Sequence, residues 1–130
     1  MKIILDAFGG DNAPLEILRG AAAAVRSQDV DIILTGDAGK IRAVMEENAI
    51  SSDRMEIVHA PEVVEMCDDP AASVRQKRNS SMMVGLSLLA EGRGDAFISA
   101  GSTGALLAGA TFLVKRIKGI KRAALAPLLP

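Results

Sequence analysis

The chain has no Trp and no Tyr, and only three Phe in 130 residues. Without aromatic faces it lacks the stacking platforms that hold bases or sugar rings. It has one cysteine, Cys67, so no internal disulfide can form, and one histidine, His59, so no His/Cys cluster offers zinc spacing. A single thiol fits a reducing, cytosolic setting. Excess charge of either sign is missing as well: 15 basic residues oppose 16 acidic ones, for a formal net charge of -1. That balance removes the global positive field expected of a nucleic-acid-binding protein. No uninterrupted apolar run reaches the ~18 residues of a transmembrane helix. The opening Met1-Lys2-Ile3-Ile4-Leu5-Asp6 becomes charged too early for a signal peptide. Peripheral membrane contact is compatible with these absences.

What is present is an aliphatic core. Hydrophobic residues make up 49% of the chain, carried by Ala, Val, Ile, Leu and Met, enough to bury the core of one domain. Aliphatic cores of this kind are usual for parallel sheets covered by helices. Short apolar runs at Ile3–Leu5, Asp31–Thr35, Met55–Val58, Ala96–Ser99 and Ala123–Ala126 alternate with helical patterns. This alternation predicts repeated βα units in a three-layer α/β/α fold with a mainly parallel sheet. Pro14 suits a first helical turn, and Leu15, Leu18, Ala22 and Val25 then form one stripe at helical spacing. After Gly36-Asp37, Ile41, Val44 and Met45 line a second helix with a charged outer side.

From Ala60 to Ala72 the pattern reads as a loop with Pro61, Pro70 and several acids, a lid or specificity loop, with helical spacing returning at Ser73. Met82 to Ala90 is apolar on most sides and ends at Glu91-Gly92, as expected of a buried helix with a glycine stop. A last helix is expected from Thr103 to Ile117, aligning Leu106, Ala110, Leu113 and Ile117. The closing Ala123–Ala126 strand and Leu128-Leu129-Pro130 have nothing following to cover them, so the chain reads as a truncated piece of a larger fold; a natural terminus there would leave an apolar patch that needs a partner.

Two glycine-rich strand-to-helix turns carry the chemistry. The first is Asp6-Ala7-Phe8-Gly9-Gly10-Asp11, the second Ser99-Ala100-Gly101-Ser102-Thr103-Gly104. Backbone N–H groups at a helix start after such a turn suit an oxyanion such as phosphate. A purely structural account is a tight turn at Gly9-Gly10 with Asp11 capping the helix, and a cap by Ser102 or Thr103 at the second. Neither turn is a dinucleotide fingerprint or a P-loop, and the elbow of a serine hydrolase is absent. Between the turns, Val74-Arg75-Gln76-Lys77-Arg78-Asn79-Ser80-Ser81 is a basic segment leading to two hydroxyls. Taken alone it is either a solvated helical turn or an anion site.

These three segments, followed by Arg116-Ile117-Lys118-Gly119-Ile120 and Ala124-Leu125-Ala126-Pro127, resemble in order the bacterial phosphate acyltransferases of phospholipid synthesis. Family members are much longer, so the match is to their N-terminal part, within one domain. The chain departs from their usual pattern at Phe8, Asn12 and Ser102. The resemblance implies a fold similar to isocitrate and isopropylmalate dehydrogenases and to phosphotransacetylase. It implies transfer of a long-chain acyl group from acyl carrier protein to inorganic phosphate, by a cytoplasmic homodimer that meets the membrane peripherally. No cofactor or metal is expected, because phosphate is itself the nucleophile.

On this reading Arg75, Lys77, Ser102 and Asp6 serve catalysis, with Arg75 and Lys77 neutralising charge. Gly9, Gly10, Asp11, Ser80, Ser81, Ser99, Gly101, Thr103 and Gly104 hold phosphate or substrate. Lys115, Arg116, Lys118, Lys121 and Arg122 are either ordinary helix-end cations or a docking patch for acidic acyl carrier protein. Cys67 and His59 have no visible catalytic partner and are taken as a bystander and a structural residue. The alternatives are a phosphotransacetylase-like enzyme acting on coenzyme A thioesters and a non-catalytic assembly module.

Overall fold

The structure is a computed structural model that describes residues 1–124 and 126. Four strands, β1 (Lys2–Asp6), β2 (Asp31–Gly36), β3 (Met55–His59) and β4 (Ala96–Ile98), form a parallel sheet in the order β3-β2-β1-β4. β1 lies at the centre, pairing Leu5 with Leu34 on one side and Ile98 on the other. The chain first builds outward from β1 to β3, then returns to place β4 on β1's free edge. Because parallel crossovers are right-handed, that reversal sends helices to opposite faces.

The packing follows this rule. Helices α1 (Leu15–Ser27) and α2 (Ala38–Glu47) cover one face, where Leu18, Ala21, Ile41 and Met45 pack with Ile32 and Leu34. On the other face α4 (Ser81–Ala90) sets Leu88 against Ile4 and Ile33, with Phe97 at the margin. Alternation along β2 explains the split: Ile32 and Leu34 point one way, Ile33 the other. A third cluster joins α4 to α5 (Thr103–Gly109) through Met82, Met83, Leu86 and Ala105. α/β architecture with a parallel sheet is therefore as expected.

Several local expectations need correction. α3 runs Pro70–Gln76, starting three residues before the expected Ser73, because Asp69 accepts from Ala72 N at 2.7 Å and Pro70 occupies the first turn. The segment before it is tied down. Val64 is buried, Glu62 bridges to Ser80, and Lys77 Nζ donates to the Val63 carbonyl at 2.9 Å. The last helix does not continue to Ile117. α5 passes into a wider π-helical turn at Ala110–Val114 and stops at Lys115, whose φ is +72°, leaving Ile117 81% exposed. Of the expected fifth strand, Ala123, Ala124 and Ala126 lie in no strand, and Leu125 falls outside the described residues, as does Leu128-Leu129-Pro130. Among the described residues no helix is long and apolar enough to cross a membrane.

Candidate active site

β1 and β4 are neighbours whose following connections leave to opposite faces, and in such sheets ligands bind beyond the strand C-termini at that reversal. Both glycine-rich turns leave the sheet there. Asp6 ends β1 and is 1% exposed. Its Oδ1 accepts from Phe8 N at 3.1 Å, and its Oδ2 accepts from Ser99 Oγ at 2.8 Å, a link between residues 93 apart in sequence. Ser99 Oγ in turn accepts from Gly101 N at 3.0 Å. One buried carboxylate thus aligns both turns.

Gly9 fits the gap between them because it has no side chain. A Cβ there would lie 2.6 Å from Ser99 Oγ, 2.8 Å from Asp6 Oδ2 and 2.9 Å from Gly101 N. Gly10 follows with φ +103°, a conformation that favours glycine. Asp11 is exposed and does not cap α1, whose N-cap position is Pro14 with no side-chain hydrogen bond. The second turn does carry a cap: Ser102, buried, accepts from Ala105 N at 3.3 Å. Gly101 N–H is committed to Ser99, so the open donors of this turn lie further on, at the first α5 residues, where Thr103 and Gly104 are exposed.

The middle segment is divided. Ser80 caps α4, accepting from Met83 N at 3.3 Å, and Ser81 donates its backbone N–H to the Glu62 carbonyl. Both serines are buried. Met82, next along α4, reaches the Gly101 turn: its Cε lies 3.2 Å from where a Gly101 Cβ would stand. Lys77 is engaged by Asp68, Nζ to Oδ2 at 2.5 Å. That hydrogen bond holds the Asp68 carboxyl below its ordinary value, and the same bond raises the Lys77 ammonium above its own. Lys77 therefore braces the segment after β3 instead of presenting a free cation.

Arg75 is exposed on α3 and lines a cavity of about 480 Å³ with Arg78, Val74, Met83, Phe112 and Leu113. No described hydrogen bond or ion pair brings Arg75 to Asp6 or to the Ser99–Gly104 turn. α3 nonetheless touches that turn at its start, since a Cβ on Gly104 would lie 2.9 Å from Pro70 Cγ. Neither Arg78 nor Asp68 was assigned a site role from sequence: Arg78 is one of several cations in the basic segment, and an acid nine residues before Lys77 gives no periodic signal. His59 ends β3 and its Nδ1 accepts from Ala38 N at 3.1 Å, a structural role, while Cys67 is free and exposed. Among the described residues no group of three or more His, Cys, Asp or Glu could hold a metal ion.

Fold and crevice together define an open parallel α/β protein with a candidate anion site at the strand-order reversal. Comparison with known proteins then identifies the family: the model of the fatty acid synthesis protein family matches residues 1–130, and the chain belongs to that family. It is 46% identical over 130 residues to the phosphate acyltransferase of Clostridioides difficile, covering 100% of this chain and 38% of that protein. Against the phosphate acyltransferase of Geobacillus thermodenitrificans it is 52% identical over 131 residues, covering 100% of the chain and 39% of the relative. The chain thus spans under two fifths of these relatives' length. Among solved structures, the EutD phosphotransacetylase from Staphylococcus aureus matches with a TM-score of 0.65 and 23% identity, over 94% of this chain and 40% of that one. That likeness shows a shared fold. The expected similarity to isocitrate and isopropylmalate dehydrogenases rests on the sequence resemblance alone.

Proposed function

We propose that the chain provides the phosphate-binding part of a single-domain enzyme that moves an acyl group from a thioester to inorganic phosphate. The observation that carries this reading is the Asp6–Ser99 hydrogen bond, which fixes two glycine turns beside the exposed first turn of α5. Family membership and relatives named phosphate acyltransferase support it.

Phosphate oxygen attacks the thioester carbonyl carbon, the C–S bond breaks, and the sulfur leaves as thiolate. The protein's task is to hold a dianion against the carbonyl and stabilise the oxyanion that develops. Backbone N–H groups at Thr103 and Gly104, with the Thr103 hydroxyl, form the anion cradle. Asp6, Ser99, Gly9, Gly10 and Gly101 set its shape, and Ser102 fixes the helix start. Arg75 supplies positive charge toward the acyl phosphate product; Lys77, Ser80 and Ser81 hold α3 and α4 in place around it. Asp11 stands at the rim.

The acyl donor is long-chain acyl carrier protein, docked on the basic run from Lys115 to Arg122. The working enzyme is a cytoplasmic homodimer with peripheral membrane contact. The test is hydroxylamine trapping of acyl phosphate after incubation with acyl carrier protein thioester, with and without phosphate. Phosphate-dependent hydroxamate supports the reading, and its absence both from this chain and from a full-length relative rejects it. Substituting coenzyme A thioesters in the same assay separates this enzyme from a phosphotransacetylase-like one.

A further inference from the structure

Asp6 joins the two turns, and what fixes Asp6 lies on the other side of β1. Its carboxylate divides its two oxygens between Phe8 N and Ser99 Oγ. Among the described residues no ion pair reaches it, and rotation of a carboxylate about its Cβ–Cγ bond is soft. The Phe8 N–H is therefore the donor that decides which way Oδ2 faces. That N–H sits in a stretch with few anchors of its own, because Gly9 and Gly10 follow it and glycine has the most backbone freedom to lose. The Phe8 side chain supplies the anchor. It packs on the cluster formed by α1, α2 and β2, and its ring occupies the space over Gly36, the last residue of β2. A Cβ on Gly36 would stand 2.4 Å from Phe8 Cδ2 and 2.5 Å from Phe8 Cε2, so the ring needs a glycine beneath it. Gly36 is buried and held in turn: its carbonyl accepts from Ala60 N at 2.8 Å, while the neighbouring Thr35 carbonyl accepts from Ala7 N at 3.0 Å.

We propose that Phe8 is a positioning residue of the site: seated on Gly36, it orients the Asp6 carboxylate toward Ser99 and so sets the second turn from across the strand. The contacts run over three neighbouring strands, from Gly36 on β2, through Phe8 and Asp6 at the end of β1, to Ser99 and Gly101 after β4. Gly9 adds a second route along the same line. It follows Phe8 directly and packs against Ser99 Oγ and Gly101 N, so a shift of Phe8 carries it toward or away from the second turn. The consequence for anion binding rests on the acyl-transfer reading; the orientation of Asp6 by Phe8 does not.

The test compares amide spectra of Phe8→Ala, Phe8→Met and Met45→Ala with the parent, first without and then with inorganic phosphate. Met45 belongs to the same core cluster but sits on α2, so its truncation measures the effect of core loss alone. Phe8→Ala is expected to displace the Ser99 and Gly101 amide resonances before any phosphate is added. It should also weaken the phosphate response at Thr103 and Gly104 by roughly fivefold, the worth of about one neutral hydrogen bond. Phe8→Met, whose flexible side chain refills the space over Gly36, should restore the affinity to within about twofold of the parent. Met45→Ala should melt earlier and leave both turns as in the parent. Unmoved Ser99 and Gly101 resonances in Phe8→Ala overturn the proposal, as do equal displacements in Met45→Ala or, where the parent binds phosphate, an affinity that Phe8→Ala leaves unchanged. Should Phe8→Ala not fold, Phe8→Leu carries the same comparison with a smaller loss of bulk. A parent that shows no phosphate response, with Ser99 and Gly101 still displaced by Phe8→Ala, would reject the anion-site reading and leave the orientation of Asp6 by Phe8 standing.

Discussion

The two glycine-rich turns use similar residues to different ends. The first, after β1, is packed from within: Asp6 is buried, Gly9 has no room for a side chain, and the helix that follows has no side-chain cap. The second, after β4, is organised by its hydroxyls, with Ser99 accepting from Gly101 N and Ser102 capping α5, while Thr103 and Gly104 stay open. One turn is a rigid floor and the other presents donors. Asp6–Ser99 is the bond that makes them one site, so glycine content alone does not locate an anion cradle. What decides it is which N–H groups the chain has already used.

This contrast can be broken in graded steps. Asp6→Ala leaves the Ser99 hydroxyl and the Phe8 N–H without their acceptor, and about 3 kcal/mol of stability should be lost in urea unfolding at an unchanged m-value. Gly9→Ala forces a Cβ into contacts below 3.0 Å and should cost about 2 kcal/mol, with the Ser99 and Gly101 amide resonances displaced. Ser102→Ala removes the α5 cap, at about 1 kcal/mol. Asp11→Ala, exposed and capping nothing, should stay within about 0.5 kcal/mol of the parent, and a larger loss would restore it as a structural residue of the first turn.

The smallest effect concerns the brace between Asp68 and Lys77. Its bond depresses the Asp68 pKa in the fold, so its contribution is present above the unfolded value of 3.8 and lost as pH falls through the folded one. The Lys77 pKa is raised, so that contribution is full below the unfolded value of 10.5 and lost as pH rises through the folded one. Between these limits the brace is intact. Lys77→Met should speed amide exchange at Asp68 and Glu65 at neutral pH, and the difference from the parent should shrink as pH falls below 3.8. An equal difference at every pH would mean that Lys77 acts through packing alone.

Much of the fold was legible because its signals are local. Apolar runs marked all four strands of the sheet, and helical spacing marked α1, α2 and α4. Two errors came from signals that compete. The acids and prolines of Ala60–Ala72 read as loop, although Asp69-Pro70 is itself a cap followed by a first-turn proline. Leu113 and Ile117 kept helical spacing past the point where the backbone widens and turns at Lys115. The site was legible as two turns but not as a network. Spacing cannot show that Ser99 would reach across 93 residues to Asp6, that Asp68 would occupy Lys77, or that Arg75 would face an apolar cavity. The Ser99–Asp6 link follows from strand order, which sets β4 beside β1, and the Asp68–Lys77 bond follows from how the connection between β3 and α4 folds on itself.

The most direct test of the joined-turn account is an amide chemical-shift titration of the chain with inorganic phosphate, repeated on Ser99→Ala. The account predicts saturable shifts centred on Thr103 and Gly104, with smaller ones at Gly9 and Gly10, and at least a several-fold weaker response when Ser99 loses its hydroxyl. Shifts absent from both turns, or identical in the variant, would contradict it.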